Sequence, residues 1–217
     1  MRYDTADMPE TTPPKSLFDD VYAGGAAPWV IGEPQPAVVD LERRGAISGA
    51  VLDAGCGAGE HTILLTGLGY DVLGVDFSAR AVELARANAA ARGVNARFEV
   101  ADATRLDGGP RFDTVVDSAL FHVFDDIDRR RYVDSLASVC RPGAVVHILA
   151  LSDAGRGFGP QVSEADIRTA FTDGWRVESV ETTTYRGVVG PAHADALGLP
   201  VGARVDEPAW LARVRRS

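Results

Sequence analysis

At 217 residues the chain is long enough for one large domain, and with 46% apolar and 24% charged residues it has the composition of an ordinary globular protein. Lys and Arg number 22 against 31 Asp and Glu, and a net charge of −9 repels a phosphate backbone, which argues against nucleic acid as a partner. Cys56 and Cys140 are too few for a disulfide scaffold or a four-ligand zinc site, and the acidic N-terminal stretch has no apolar run, so neither a secretory leader nor a membrane anchor is expected and the chain reads as cytoplasmic.

Residues 1–15, with Pro9, Pro13 and Pro14 among acidic and hydroxyl side chains, are expected to form a mobile tail. Ser16 then starts a short helix with Leu17, Phe18, Val21 and Tyr22 on one face, ended by Gly24 and Gly25. After the proline-rich stretch Pro28 to Pro36, a second helix begins at Ala37 and stops at Gly45. These two pieces (16–45) are expected to cover a single domain over 16–217, the cover acting as a lid.

From residue 50 the pattern changes to short β-branched runs alternating with helical segments, the mark of βα units and a parallel sheet. Strands are predicted at 50–53, 71–76, 96–100, 112–117 and 144–151, and helices at 60–67, 79–92 and 128–140. Ser163 followed by Asp166 predicts a capped helix to Phe171, and residues 175–185 and 209–215 read as two further strands. Between these strands Arg186 to Glu207 is rich in Gly and Pro and is expected to be a loop over a site.

The segment Val51-Leu-Asp-Ala-Gly-Cys-Gly-Ala-Gly-Glu60 is a strand running through a glycine turn into a helix, where a ligand can approach the backbone closely. Its glycines at 55, 57 and 59 miss the dinucleotide spacing, and Asp53 at the strand end would repel a pyrophosphate, so a zwitterionic cofactor without phosphate fits better. Asp76 ends the second strand 21 residues after Gly55, where a carboxylate can accept from both ribose hydroxyls. Asp102 follows the third strand, where it can accept from an exocyclic amine while the Ala103 N–H donates to a ring nitrogen.

Taken together, Leu52-Asp-Ala-Gly-Cys-Gly-Ala-Gly, Gly74-Val-Asp-Phe-Ser, Ala101-Asp-Ala, Phe112-Asp-Thr-Val-Val-Asp-Ser and the Arg141-Pro-Gly turn resemble the class I S-adenosyl-L-methionine-dependent methyltransferases. The resemblance implies a Rossmann-like α/β fold, helices on both faces of a seven-stranded sheet of order 3-2-1-4-5-7-6, the last strand antiparallel. It implies that Asp53 and the glycine loop (Gly55, Cys56, Gly57) hold the methionine portion, Asp76 the ribose and Asp102 the adenine, with Phe77, Ala103, Asp117 and Ser118 also at the cofactor. S-adenosyl-L-homocysteine would be the product, with no metal. Upstream, Phe18-Asp-Asp-Val-Tyr and Ala27-Pro-Trp-Val-Ile-Gly-Glu-Pro are similar to the N-terminal cover of the thiopurine-methyltransferase-like group, which implies a Trp29 contact to the cofactor. Within that group Arg111-Phe-Asp-Thr-Val-Val-Asp-Ser-Ala-Leu-Phe-His most resembles the heterocyclic-toxin methyltransferases, which O-methylate N-hydroxyquinolones and related heterocycles.

Transfer of a methyl group from a sulfonium is an in-line displacement, which needs positioning and exclusion of water more than a nucleophilic side chain. Phe18, Tyr22, Phe121, His122 and Phe158 are the candidate acceptor-binding residues, with Phe124 nearby, and they favour a flat aromatic heterocycle. His122 is the candidate catalytic residue, either as a base or as a hydrogen-bond partner; His61 is placed to line the cofactor and His147 to lie in the core. Asp117 and Asp153 are too few oxygen ligands for magnesium-assisted methylation, and Asp117-Ser-Ala-Leu lacks the Pro-Pro-aromatic sequence of nucleic-acid base methylation. S-methylation of a thiol heterocycle and a cofactor-binding regulatory domain without turnover stay open as alternatives.

Overall fold

Strands flanked by helices on both faces cannot alternate apolar and polar residues, and the middle of this chain does not: Val51 to Ala54, Val72 to Asp76 and Ala144 to Leu151 are buried throughout. A computed structural model describes residues 11–24 and 27–217. It places β1 (Ala50–Ala54), β2 (Asp71–Asp76), β3 (Arg97–Val100), β4 (Phe112–Ser118) and β5 (Cys140–Leu151) in parallel, with β7 (Arg204–Arg216) antiparallel to β5 and β6 (Trp175–Val188) antiparallel to β7. The sheet order is 3-2-1-4-5-7-6, as the resemblance implied.

Helices α3 (Glu60–Gly67), α4 (Ala79–Ala91) and α5 (Asp126–Val139) make the crossovers, and α1 (Lys15–Gly24) and α2 (Pro36–Arg43) precede the sheet. Three N-termini are capped by side chains: Ser78 accepts from the Ala81 N–H, Asp125 from the Ile127 and Asp128 N–H groups, and Ser163 closes a reciprocal box with Asp166 at α6 (Glu164–Ala170). The largest core cluster joins β1, β4 and β5 to α5 through Leu52, Val115, Phe121, Tyr132, Leu136 and Ile148.

Gly59 is where the glycine turn has no alternative. Its φ is +86°, and a Cβ there would lie 2.9 Å from the Ala85 Cβ and from the Phe98 ring. Gly59→Ala should therefore cost roughly 2 kcal/mol or more of stability from overpacking and backbone strain together, read as a lowered midpoint of thermal or urea unfolding. An unchanged midpoint would show that the turn rearranges freely.

Two expectations are corrected. Arg186 to Glu207 is not a loop: β6 runs on to Val188, α7 (Pro191–Leu197) follows, and β7 starts at Arg204. The register pairs Val188 with Arg204 and Gly187 with Val205, so the glycines and prolines punctuate a long hairpin whose pairing is non-local. β5 likewise starts at Cys140, with the Pro142-Gly143 turn drawn into its irregular beginning. Of the expected tail, residues 1–10 lie outside the described residues, as does the Gly25 end of the first helix. Thr12 is fastened, its N–H donating to Asp125 Oδ2 at 3.2 Å and its Oγ1 accepting from the Asp125 N–H at 3.0 Å.

Candidate active site

The strand order lays the functional side chains in a line along the carboxyl edge of the sheet. Asp102 follows β3, Asp76 ends β2, Gly55 to Gly57 follow β1, Ser118 ends β4 and His122 follows it, Leu151 ends β5, and Phe158, Tyr185 and His193 belong to the segments around β6 and β7. All of these line one cavity of about 1160 Å³, roofed by Phe18, Tyr22 and Trp29 of the cover. A pocket for one drug-sized ligand measures roughly 300–1,000 Å³, so this volume suits a cofactor and an acceptor side by side.

Asp76 is 6% exposed, its Oδ2 accepting from the Gly57 N–H at 3.0 Å and its Oδ1 from the Ser78 N–H at 2.9 Å. One lone pair on each oxygen is left for a ligand. Burial pushes its pKa up to about 6, against the two backbone hydrogen bonds that lower it. Asp102 caps the turn Ala103–Arg105 by accepting from Thr104 N–H and Oγ1, and it pairs with Arg105 at 2.9 Å. Burial raises its pKa, but the Thr104 and Arg105 contacts outweigh that and hold it below the usual carboxylate range.

Asp53, Asp117 and Phe121 do not reach the cavity, contrary to expectation. Asp53 Oδ2 accepts from Thr62 N–H and Oγ1 at 3.0 and 2.6 Å, which fixes the first turn of α3, and its buried Oδ1 has no partner among the described residues. Asp117 Oδ1 accepts from the Leu120 and Phe121 N–H groups and Oδ2 from the Tyr132 hydroxyl at 2.8 Å. It holds the turn through Ala119, whose φ of +70° is unusual for a non-glycine residue. Phe121 is fully buried, stacked on Phe171 with its centroid 6.0 Å away. Strand alternation explains the switch at β4: successive side chains point to opposite faces, so Ser118 lines the cavity and Asp117 does not.

Phe18 and Tyr22 sit over the glycine loop and Phe77, away from Phe158 with which the sequence grouped them. The Phe18 ring is 5.4 Å edge-on to Phe77 and 5.9 Å from Trp29, and the Tyr22 hydroxyl would lie 2.8 Å from a Cβ on Gly57. Trp29 Nε1 donates to the Tyr22 hydroxyl at 2.9 Å. The cover is anchored across the sheet as well: Val188 N–H donates to the Pro28 carbonyl at 2.8 Å, and the Gln35 side-chain amide bonds both backbone groups of Arg186 at 2.7 and 2.9 Å.

Three histidines surround the cavity. His122 is 6% exposed and its Nδ1 accepts from the Leu151 N–H at 2.9 Å, so the neutral ring carries its proton on Nε2. Burial pushes its pKa down to about 3, and with Nδ1 taken and Nε2 protonated the ring has no free basic nitrogen. His193 packs on Phe158, centroids 4.9 Å apart, with Nδ1 buried and unpartnered among the described residues. His61 accepts at Nε2 from the Gln35 N–H at 3.1 Å. His147 is buried in β5, with Nε2 3.1 Å from the Ala46 carbonyl. No local pattern marks Gln35, which lies between two prolines, or Tyr185 and His193 in the segments beyond β5.

Among the described residues no group of three or more His, Cys, Asp or Glu side chains converges as a metal site, and no helix is long and apolar enough to cross a membrane. A ligand with a ribose and an amino-acid tail fits what is present: Asp76 has open lone pairs at the cavity, and the buried Ser118 Oγ at its wall has no partner among the described residues.

The sheet order, the glycine turn after β1 and the acid ending β2 define the Rossmann-like nucleoside-binding class to which methyltransferases belong. Residues 51–143 match the model of a methyltransferase domain. The chain is 34% identical over 181 residues to a 2-heptyl-1-hydroxyquinolin-4(1H)-one methyltransferase of Mycobacteroides abscessus, covering 76% of this chain and 79% of that one. It is 42% identical, with a TM-score of 0.86, to a chain solved in work on the conversion of a disulfide bond into a thioacetal group during echinomycin biosynthesis, covering 93% and 92% of the two chains. A shorter match, 34% over 101 residues, is to tRNA 5-carboxymethoxyuridine methyltransferase of Escherichia coli K12, covering 46% of this chain and 39% of that one. The chain belongs to the class I S-adenosyl-L-methionine-dependent methyltransferases.

Proposed function

We propose that the protein transfers a methyl group from S-adenosyl-L-methionine, without a metal, to a heteroatom of a small flat heterocycle, foremost the oxygen of a hydroxylated or N-hydroxy heterocycle such as a quinolone. The observation that carries this reading is the linear layout of one cavity, in which the glycine loop and Asp76 lie at one end, an apolar wall of Leu151, Phe158, Pro160 and Tyr185 at the other, and His122 between them. An aromatic acceptor against that wall would put its heteroatom toward β4, and the likeness to the hydroxyquinolone methyltransferase supports the same class.

The cofactor supplies an electrophilic methyl carbon on a sulfonium. The chain's own work is to align and to dry the site: Asp76 accepts from the ribose hydroxyls, the Asp102 and Ala103 segment faces the base, and Trp29 with Phe18 closes the roof. His122 offers Nε2–H to the acceptor heteroatom and takes no proton from it, because Nδ1 is bonded to the Leu151 N–H. The acceptor must arrive already ionised, which N-hydroxyheterocycles and heterocyclic thiols do near neutral pH. Product formation with a hydroxyquinolone in the presence of a chelator tests the proposal, and turnover restored only by added magnesium would overturn its metal-free part.

A sulfur acceptor is the second reading, favoured by the 42% identity to the chain from the disulfide-to-thioacetal study. The pH dependence of cofactor binding is common to both readings. Asp76 accepts ribose hydroxyls as the carboxylate, and its pKa is pushed up to about 6 by burial. Affinity for S-adenosyl-L-homocysteine is therefore full above that value and falls as the pH drops through it. Calorimetry at pH 7.5 and 5 should show the loss; equal affinities would remove Asp76 from the ribose.

A further inference from the structure

We propose that His61, through Nδ1–H, is the anchor for the carboxylate of the cofactor's amino-acid tail. This rests on the cofactor assignment above. His61 is the second residue of α3, and its ring lines the cavity. Its Nε2 accepts from the Gln35 N–H at 3.1 Å, so in the neutral ring the proton sits on Nδ1. That N–H has no hydrogen-bond partner among the described residues, and the ring that carries it lines the cavity. Burial pushes the His61 pKa down to about 4, which keeps the ring neutral and the tautomer fixed.

Charge at this end of the cavity leaves the carboxylate few other partners. With the ribose over the end of β2 and the base beyond it, the tail lies over β1 and β4, beside Gly55 to Gly57, Ser118 and the start of α3. The charged side chains there, Asp76 and Glu60, are acids that repel a carboxylate, and Glu60 Oε1 is buried with no partner among the described residues. The basic side chains lining the cavity, Arg105 and Arg131, are paired with Asp102 and Asp128 toward the turn that follows β3. The donors within reach of the tail are therefore neutral: His61 Nδ1–H and the Tyr22 hydroxyl, whose oxygen accepts from Trp29 and whose proton is free to donate over Gly57. Of these the histidine alone has its proton fixed in place. Because Gln35 also holds β6 through Arg186, the donor is set only when the cover is seated.

The test is a comparison of two ligands that differ in the tail. Calorimetric affinities of wild type, His61→Leu and His61→Gln are measured for S-adenosyl-L-homocysteine and for 5′-methylthioadenosine, which has the nucleoside and no carboxylate. His61→Leu should weaken S-adenosyl-L-homocysteine by roughly 10- to 100-fold, the loss of one hydrogen bond to a charged group, and leave methylthioadenosine unchanged. His61→Gln can accept from Gln35 and still donate, and should recover most of the loss. Equal weakening of both ligands would mean a packing role and would overturn the proposal, as would a His61→Leu protein that binds both as wild type does. If S-adenosyl-L-homocysteine fails to bind wild type at all, it is the cofactor reading that fails.

Discussion

Asp76→Ala is expected to weaken S-adenosyl-L-homocysteine binding by roughly 1.5–3 kcal/mol, the value of hydrogen bonds to a charged acceptor. Two effects add in this variant. The ribose loses its acceptor, and the Gly57 N–H, which donates to Asp76 Oδ2 at 3.0 Å, loses the group that holds the glycine turn against β2. Asp76→Asn separates them, since its amide oxygen still accepts from one of the Gly57 and Ser78 N–H groups while the negative charge is gone. The asparagine variant should fall between wild type and alanine. Calorimetry reads both, and a folded Asp76→Ala protein with wild-type affinity would show that the ribose lies elsewhere.

His122→Ala should raise KM for an acceptor that is ionised at neutral pH by roughly 10- to 100-fold and lower kcat much less. The reason is the tautomer: with the Leu151 N–H on Nδ1, Nε2 is a donor, and a donor stabilises an anion in the ground state and loses part of that contact as the charge moves to the new bond. The pH–rate profile follows from the same fact. Burial holds the His122 pKa near 3, so no acidic limb at the ordinary imidazole value of ~6.5 is expected, and kcat/KM should instead rise with the ionisation of the acceptor. His122→Gln, whose side chain carries both an acceptor and a donor, is the control for the lost Leu151 contact. A wild-type limb near ~6.5 that disappears in the variant would show that the histidine is a base.

The parts of the fold legible in the sequence are those whose signals are local. β2 over Asp71–Asp76 and α3 over Glu60–Gly67 lie where the pattern puts them, because a buried parallel strand is a continuous apolar run and a glycine turn ends it. The capping box at Ser163 and Asp166 is equally local. The segment from Arg186 to Glu207 was not legible, because its strand character comes from pairing β6 with β7 across an intervening helix, and composition carries no trace of that. At the site, motif spacing pointed to the strand ends that meet the cavity, but carried no information on which side chains turn into it. Asp53 and Asp117 share their strands' ends with cavity residues, yet each is consumed by its own turn, one on Thr62 and the other on Leu120, Phe121 and Tyr132. Conversely, the role of Gln35 depends on a contact to β6 that is 151 residues away.

The most direct measurement is a single-pot competition. Wild-type protein with S-adenosyl-L-methionine and a chelator is given equimolar N-hydroxyquinolone, phenol, heterocyclic thiol and aryl disulfide, together with bulk tRNA, and the methylated species are identified by mass spectrometry with the site of methylation read by NMR. The expected order has the N-hydroxyquinolone oxygen methylated first, the ionised thiol next, and the phenol last, because it reaches the cavity protonated and His122 has no free nitrogen to take its proton. Methylation of tRNA alone, or of the phenol ahead of both ionised acceptors, would contradict it.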